Sequence, residues 1–244
     1  MDASPLISIE KLSHAYADGR PALRGVSFAV TAGERLALVG PNGAGKTTLF
    51  LRLCGALPGI PGQIQIAGLD PAFPPHRRQL PRTVGIVFQN PDDQLFSATI
   101  LEDVAFGPLN LGCPPDEARS RAEAALQDVG ISDTADRSPH TLSGGEKRRA
   151  ALAGVLAMHP EVLLLDEPSM YLDPRGRREL IRRLLQLPGT LLIATHDLEL
   201  VLDLCPRTLI LDAGQIIADG KSGTLLADSA LMEAHGLEVP YRLR

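Results

Sequence analysis

The sequence of 244 residues predicts an α/β fold in which a core of parallel strands carries a β-rich edge and an inserted α-helical subdomain. Short apolar runs alternate with loops and helical segments through residues 7–97 and 161–220, as expected where strands are buried in a core. Residues 98–160 contain no convincing strand and predict the helical subdomain. These stretches form one predicted domain over residues 1–244, which ends in a short tail at 221–244.

The predicted strands follow from short runs of aliphatic residues. Residues 7–30 predict the β-rich edge, and Arg35–Val39 predicts a buried strand that leads into a helix at Lys46. Three further apolar runs predict core strands, at residues 84–88, 162–165 and 190–195. An Ala-Gly turn predicts a hairpin over residues 210–218.

The helices of the subdomain are predicted from residue spacing and from their boundaries. Residues 117–129 are rich in Ala, Arg and Glu at helical spacing, with Pro114 and Pro115 before them and Gly130 after them. Proline at the start and glycine beyond the end are typical helix boundaries. A second helix is predicted over residues 144–158, and one or two small helices are predicted in the tail.

Residues 40–47 carry a motif with a chemical meaning, Gly-Pro-Asn-Gly-Ala-Gly-Lys-Thr. It fits the phosphate-binding loop pattern G-x-x-x-x-G-K-[ST] at every fixed position. The glycines allow a tight loop whose N–H groups converge on an anion, and the start of the next helix adds partial positive charge. Lys46 can reach the β- and γ-phosphates of a nucleotide, and the Thr47 hydroxyl can hold Mg²⁺. An ordinary glycine-rich turn is disfavoured, because the strand, the loop, the helix and the Lys-Thr pair all agree.

Two carboxylates follow the apolar run at residues 162–165. Asp166 and Glu167 would stand at the carboxyl end of a central parallel strand, the sheet edge where ligands bind. Asp166 is then placed to hold Mg²⁺, directly or through water, and Glu167 to polarise an attacking water as general base. A surface turn is the alternative, but such a turn does not usually follow four aliphatic residues.

A second motif, Leu-Ser-Gly-Gly-Glu at residues 142–146, narrows the class. Together with the phosphate-binding loop, it makes the chain resemble the ATP-binding cassette (ABC) ATPases over nearly its whole length. The resemblance implies an ABC-type P-loop NTPase core, ATP and Mg²⁺ as cofactors, and ATP hydrolysis coupled to transport. The residues that it assigns to ATP are Tyr16, Gly40, Pro41, Asn42, Gly43, Ala44, Gly45, Lys46, Thr47, Thr48, Ser143, Gly144 and Gly145.

The same resemblance implies roles for residues outside the two motifs. His196 would touch the γ-phosphate and the water held by Glu167, although a lone histidine is more often structural. Gln89 would touch Mg²⁺ and water. Tyr16 would stack on adenine, with a half-buried tyrosine at a strand end as the alternative. The implied catalytic residues are Glu167, His196 and Gln89, and the implied metal ligands are Thr47, Gln89 and Asp166.

The Ser-Gly-Gly segment gives the chain a second helix N-terminus that suits an anion. ABC ATPases use such a second site by dimerising head to tail. By resemblance, Ser143, Gly144 and Gly145 would bind the γ-phosphate of ATP held by a partner subunit. A homodimer with two composite sites is therefore implied, and Asp173 would lie in the loop that crosses between them.

The loop after Glu167 departs from the family pattern. It reads Pro-Ser-Met-Tyr-Leu-Asp-Pro, with Tyr171 where relatives usually have glycine. If that position needs a positive φ, a residue other than glycine costs about 1–3 kcal/mol. Alternatively, the bulk of Met170 and Tyr171 packs at the dimer interface.

Residues 89–112 resemble one branch of the family, the energy-coupling-factor importers, and within it the cobalt and nickel systems. The similarity is carried by Asp-Asp-Gln-Leu-Phe and by Ala-Phe-Gly-Pro-Leu-Asn-Leu-Gly, and by His-Gly-Leu-Glu-Val-Pro at residues 235–240. It implies a transmembrane coupling subunit and a substrate-binding membrane subunit as partners. Leu95, Phe96 and Phe106 could form an apolar surface for a helix of the membrane partner, or could pack inside the subdomain.

Composition agrees with this reading and excludes other classes. Hydrophobic residues are 44% and charged residues 22%, and the net charge of −5 gives no support for nucleic-acid binding. Three cysteines without a C-x-x-C pair predict reduced thiols in a cytosolic protein. Residues 1–5 lack the features of a signal peptide, and no apolar run approaches the ~20 residues that span a bilayer. The expected location is therefore the cytoplasmic face of the cell membrane, peripherally, through partners.

The sequence leaves alternatives to a cobalt or nickel importer. The six histidines lie apart, so the transported metal leaves no chelating signature in this chain. One alternative is that the chain is the ATPase subunit of another ABC importer. A soluble ABC ATPase of cluster assembly or DNA repair is a further alternative, although the DNA-repair form usually carries a long coiled-coil insertion. A non-enzymatic regulator is disfavoured by the intact set of Lys46, Asp166, Glu167 and His196.

Overall fold

The computed structural model describes residues 4–244, and the first three residues of the predicted domain lie outside the described part of the chain. The described residues form two sheets and a group of helices. The strands are β1 (Ile7–Ala15), β2 (Pro21–Val30), β3 (Arg35–Val39), β4 (Ile64–Ile66), β5 (Val84–Val87), β6 (Val162–Asp166), β7 (Thr190–Ala194), β8 (Arg207–Asp212) and β9 (Gln215–Lys221). The α-helices are α1 (Lys46–Leu53), α2 (Pro74–Arg77), α3 (Ile100–Asn110), α4 (Pro115–Asp128), α5 (Gly144–Leu156), α6 (Pro174–Gln186), α7 (Leu198–Leu204), α8 (Ser222–Leu225) and α9 (Ser229–Ala234).

The larger sheet has the strand order β5-β6-β7-β3-β8-β9. Its first five strands are parallel, and β9 runs antiparallel to β8. Every residue of β6 and β7 is buried, as expected for parallel strands covered on both faces. Because β5, β6, β7 and β3 are parallel neighbours, their carboxyl ends meet at one edge of the sheet. The α/β fold class predicted from the apolar runs is therefore confirmed.

The smaller sheet is antiparallel, with the order β2-β1-β4. Ile7 pairs with Val30 and Ile9 with Phe28, so the two long strands place their apolar side chains on the same face. This is the β-rich edge predicted over residues 7–30. The short strand β4 extends it, and three residues are too few to show a strand pattern in the sequence.

Helices α3, α4 and α5 lie between the strands β5 and β6 in the chain, and no strand occurs among residues 98–160. Helix α4 begins at Pro115, two residues before the predicted start, because a proline in the first turn loses no intrahelical hydrogen bond. Helix α5 ends at Leu156 rather than at residue 158. His159 has a φ of 53° and precedes Pro160, a backbone conformation that does not continue a helix.

The two faces of the larger sheet carry separate cores. In β3, Leu36 and Leu38 face the cluster that holds Phe50 of α1, whereas Ala37 and Val39 face the cluster beneath the helical region. A fully buried side chain of this size contributes about 1.5–3 kcal/mol to folding. The sheet therefore holds α1 against one face and α5 against the other. The edge formed by the carboxyl ends of the parallel strands lies between these two helices.

The hairpin and the tail complete the chain. Strands β8 and β9 are joined by Ala213 and Gly214, whose φ values of 46° and 79° suit a tight hairpin turn. The hairpin is longer than the predicted residues 210–218, because β8 and β9 continue to pair beyond the turn as far as Arg207 and Lys221. The tail contains α8, α9 and a single turn at Tyr241–Leu243.

Candidate active site

The loop between β3 and α1 has the geometry of an anion cradle. Gly45 precedes α1 with a φ of 109°, and a Cβ atom there would lie 2.5 Å from the Ala22 carbonyl oxygen. Only glycine fits that position without displacing the backbone. The first N–H groups of α1 have no acceptor within the helix, so they can point at a ligand, and the helix dipole adds positive potential there.

Lys46 is buried at the start of α1. Its Nζ atom donates to the Gly40 carbonyl at 2.7 Å and to the Pro41 carbonyl at 3.1 Å. Burial lowers the pKa of Lys46, although the charges of Glu167 and Asp166 act in the opposite direction. A polyphosphate bound to the loop would supply the anionic partner that this ammonium group needs.

Thr47 and Asp166 form the second part of the site. The Thr47 hydroxyl donates to Asp166 Oδ2 at 2.7 Å, across the gap between α1 and the end of β6. Burial raises the pKa of Asp166; the Thr47 hydrogen bond opposes that shift and the nearby charge of Glu167 adds to it. Mg²⁺ usually takes one or two carboxylates together with phosphate oxygens, and this oxygen pair fits that pattern. No group of three or more His, Cys, Asp or Glu residues within residues 4–244 could hold a metal ion alone.

Glu167 is held by the next strand along the sheet. Its Oε2 atom accepts from the Thr195 hydroxyl at 3.0 Å and from the His196 N–H at 3.3 Å, and it lies 2.8 Å from His196 Nδ1. Its own φ is 49°, a region that a residue other than glycine adopts only at a cost of about 1–3 kcal/mol. The carboxylate is therefore fixed at the sheet edge by three contacts from the two residues that follow β7.

One cleft of about 470 Å³ brings most of the predicted residues together. Its lining residues are Tyr16, Arg20, Pro21, Ala22, Asn42, Gly43, Ala44, Gly45, Lys46, Thr47, Thr48, Gln89, Asp166 and Glu167. The Tyr16 hydroxyl lies 2.8 Å from Thr48 Oγ1, which orients the ring at the mouth of the cleft. Gly40 and Pro41 do not line it and contribute through Lys46. His196 stands at the rim with 62% of its side chain exposed.

The Ser-Gly-Gly segment is absent from the lining of this cleft among residues 4–244. Ser143 caps α5 in a capping box with Glu146, whose N–H donates to Ser143 Oγ at 3.3 Å and whose Oε2 accepts from the Ser143 N–H at 2.7 Å. Ser143 and Gly144 are exposed, and the N-terminus of α5 lies outside the lining of the chain's own cleft. Gly145, the third predicted residue of this segment, is half-buried.

Residues 23–170, more than half of the chain, match the ABC transporter family. The chain belongs to that family. It is an ABC-type ATPase.

This ABC ATPase is similar to ATP-binding proteins whose transport role is named. It is 46% identical over 239 residues to an energy-coupling factor transporter ATP-binding protein of Methanothermobacter thermautotrophicus, covering 96% of this chain and 77% of the relative. It is also 46% identical over 243 residues to a cobalt import ATP-binding protein of Rhodobacter capsulatus, covering 97% and 86%. The solved structure of cbiO1 from Clostridium perfringens, described as part of the ABC transporter complex cbiONQ, shares 38% identity with a TM-score of 0.81, covering 95% and 94%.

The loop after Glu167 in this ABC ATPase contains the departure noted in the sequence. Tyr171 has a φ of 62°, and 85% of the residue is exposed. Asp173, two residues later, accepts from the Gly176 N–H at 2.6 Å and so caps α6. Ser169 at the other end of the loop donates to Asp197 Oδ2 at 3.0 Å. The loop is thus anchored on both sides, with the tyrosine ring projecting between.

A second concave surface is formed by the segment that follows Gln89 and by residues of α3 and α5. This groove, of about 520 Å³, is lined by Leu95, Phe96 and Phe106 together with residues of α5. Leu95 is 9% exposed and belongs to the core, so for this residue packing inside the subdomain is what the structure shows. Phe96 and Phe106 are 65% and 47% exposed, and their rings meet edge to face at 4.9 Å. The apolar surface expected from the sequence is therefore present, but its exposed part consists of the Phe96 and Phe106 rings, while Leu95 is buried beneath it.

Two contacts of this site were missed by sequence reasoning. Thr195 holds Glu167 through its hydroxyl. Its position at a strand end, directly before His196, is a sequence feature from which a contact at this sheet edge could have been predicted. Arg148 donates from its guanidinium group to the carbonyl oxygens of Glu167 and Gln89. No local signal in the sequence distinguishes Arg148 from the next residue, Arg149, because the difference depends on which neighbours each one meets.

No helix within residues 4–244 is long and apolar enough to cross a membrane.

Proposed function

We propose that this ABC ATPase is the ATP-hydrolysing subunit of an energy-coupling-factor importer that takes up cobalt or nickel ions. The combination that carries the proposal is an ATP cleft with a complete set of catalytic groups beside an exposed aromatic groove. The similarity to a cobalt import ATP-binding protein supports the choice of metal. The metal ion itself is cargo, selected by a separate membrane subunit.

The chemistry is phosphoryl transfer to water. The loop N–H groups and Lys46 hold the β- and γ-phosphates, while Thr47, Asp166 and Gln89 are the groups that would hold Mg²⁺, which neutralises charge on the phosphates when bound. Glu167 acts as general base towards water, because its carboxylate is fixed at the edge of the same cleft. His196, at the rim, contacts Glu167 and approaches the γ-phosphate.

The functional form is a head-to-tail homodimer. The exposed N-terminus of α5, with Ser143, Gly144 and Gly145, offers an anion site that the chain's own cleft does not use. Placed against a partner's ATP, it completes a composite site. ATP then joins the subunits, and hydrolysis releases them.

The groove with Phe96 and Phe106 receives a helix of the transmembrane coupling subunit. The segment that lines it follows Gln89 directly, so a movement of the docked helix reaches a residue of the ATP cleft. This contact would hold the ATPase peripherally at the cytoplasmic face of the membrane. An ATPase of another ABC importer would use the same groove, whereas a soluble ABC ATPase would leave it without a membrane partner.

Replacing Phe96 with aspartate tests the docking surface. The change removes apolar area worth about 1.5–3 kcal/mol when fully covered and adds a charge that docking would desolvate. We expect retained ATP affinity, loss of co-purification with the membrane subunits, and loss of cobalt or nickel uptake by cells that depend on this importer. Phe73→Asp is the matched control, since Phe73 is 48% exposed and does not line the groove. Normal assembly and uptake with Phe96→Asp would place the docking surface elsewhere.

A further inference from the structure

Arg148 is a buried charge with an unusual set of partners. It lies in α5, five residues after Ser143, and is 6% exposed. Within residues 4–244 it makes no salt bridge with a carboxylate. Its NH1 group donates to the Glu167 carbonyl oxygen at 2.5 Å, and its NH2 group donates to the Gln89 carbonyl oxygen at 2.9 Å. Burying a guanidinium group is costly, so both contacts matter to the fold around it.

The two carbonyl groups belong to the residues whose side chains reach the ATP cleft. Glu167 has a strained φ of 49°, and its N–H donates to the Ala194 carbonyl oxygen at 2.8 Å. Arg148 holds the other side of the same residue, at its C=O. The strained backbone that aims the carboxylate is therefore fixed from β7 on one side and from α5 on the other.

The same helix carries the Ser-Gly-Gly segment at its N-terminus. An α-helix rises about 1.5 Å per residue, so Arg148 lies about 7.5 Å along the axis from Ser143. The capping box of Ser143 and Glu146 joins the two ends of the first turn by reciprocal hydrogen bonds. Because both residues belong to one hydrogen-bonded helix end, a displacement of the N-terminus of α5 also moves the Arg148 guanidinium group.

We propose that Arg148 is a positioning residue that couples the two composite ATP sites of the dimer. This inference rests on the proposed head-to-tail arrangement. Binding of the partner's γ-phosphate at Ser143 fixes α5, and Arg148 carries that fixation to Glu167 and Gln89 of the chain's own cleft. Each site then hydrolyses ATP fully only when the opposite site is occupied.

Arg148→Lys tests the role with little change in charge or volume. A lysine ammonium cannot replace the planar fork that reaches two carbonyl groups at once. We expect ATP-driven dimerisation to be retained, kcat to fall about tenfold or more, and the Hill coefficient for ATP to fall towards one, with KM changed much less. A merely structural role would lower the active fraction and leave the Hill coefficient as it is.

Arg149→Lys is the matched control. Arg149 is the adjacent arginine of the same helix, and its guanidinium group makes no hydrogen bond to Glu167 or Gln89. This variant should keep both kcat and the Hill coefficient within about twofold of the wild type. Equal losses in the two variants would mean that any lysine in this turn disturbs the helix, and the inference would be overturned.

Mixed dimers separate effects within a chain from effects across the interface. One chain carries Glu167→Gln, so that only the other chain hydrolyses ATP. Arg148→Lys in the hydrolysing chain should lower kcat about tenfold, and in the Glu167→Gln chain less than about threefold, because Arg148 contacts Glu167 of its own chain. Equal effects of the two placements would overturn the positioning role.

The controls also separate this inference from the proposed function. A wild-type chain that forms no ATP-dependent dimer overturns the head-to-tail arrangement and the coupling with it. A wild type that dimerises and hydrolyses cooperatively, beside an Arg148→Lys variant with the same kcat and Hill coefficient, overturns the role of Arg148 alone.

Discussion

His196 Nδ1 lies 2.8 Å from Glu167 Oε2, although the two residues are 29 positions apart in the chain. The contact joins the carboxyl ends of β6 and β7, which are adjacent parallel strands. Only 8% of the Glu167 side chain is exposed, whereas 62% of the His196 side chain is. The carboxylate is thus enclosed, and the imidazole ring connects it to the open side of the cleft where a γ-phosphate would lie.

The first prediction concerns the base. Glu167→Gln should retain ATP binding, since Lys46 and the loop N–H groups are untouched, but should slow hydrolysis by at least about 100-fold because a positioned general base is lost. Single-turnover hydrolysis and equilibrium nucleotide titration measure the two effects separately. Turnover near the wild-type rate would remove Glu167 from this role.

The second prediction concerns assembly. In the Glu167→Gln background, ATP should drive a dimer with two bound nucleotides, and Ser143→Arg should block it by placing bulk where the proposed head-to-tail dimer would place the partner's γ-phosphate. Ser143→Ala is the control, because it loses the same helix cap, at about 0.5–2 kcal/mol, without adding bulk. Size-exclusion chromatography with ATP reports the result. A stable ATP dimer of Ser143→Arg would contradict the composite sites.

The third prediction concerns the strained tyrosine. Tyr171→Gly should raise the free energy of unfolding by about 0.5–1 kcal/mol, because glycine adopts a φ of 62° without the side-chain clash, partly offset by its greater freedom in the unfolded chain. Tyr171→Ala keeps the strain and should not stabilise. Urea denaturation compares the two variants.

The same two variants also test the place of the ring. If the exposed ring is covered in the dimer, both variants should weaken ATP-driven dimerisation to a similar degree, since both remove the same aromatic surface. Dimerisation unchanged in both would show that Tyr171 contributes nothing to the interface.

The fourth prediction concerns Asp197, which follows His196. Burial alone would raise the pKa of Asp197, but hydrogen bonds from Arg177 and from the Leu200 N–H outweigh it, and the pKa is lowered. A carboxyl group with a lowered pKa stabilises the fold above its ordinary pKa, and this contribution is lost as the pH falls through the lowered value. Asp197→Asn should therefore cost about 1–2 kcal/mol at pH 7, with the difference from the wild type shrinking in acid.

Urea denaturation at several pH values measures that difference. Asparagine remains a good helix cap, so the cap that Asp197 provides to α7 is retained and the ionic contact with Arg177 is what changes. A stability difference that stays constant from pH 7 into the acid range would show that the charge of Asp197 contributes little.

The sequence by itself determined the features that depend on local spacing. The phosphate-binding loop, the Ser-Gly-Gly segment and the apolar runs at β3, β6 and β7 are short patterns, and each requires only neighbouring residues to act. A glycine before Lys46 is required by the backbone of one turn, and a run of aliphatic residues is required by burial of one strand. These features were sufficient to predict the fold class and the family.

Contacts between distant segments were decided only by the tertiary structure. Leu95 is buried while the next residue, Phe96, is exposed, although both are apolar and no local pattern separates them. Arg148 donates to the carbonyl groups of Glu167 and Gln89 and Arg149 donates to neither, since a step of one residue turns a helical side chain by about 100°. The strand order places β7 beside β6, and that order is set by packing of the helices on the sheet, a property of the whole chain that no short segment carries.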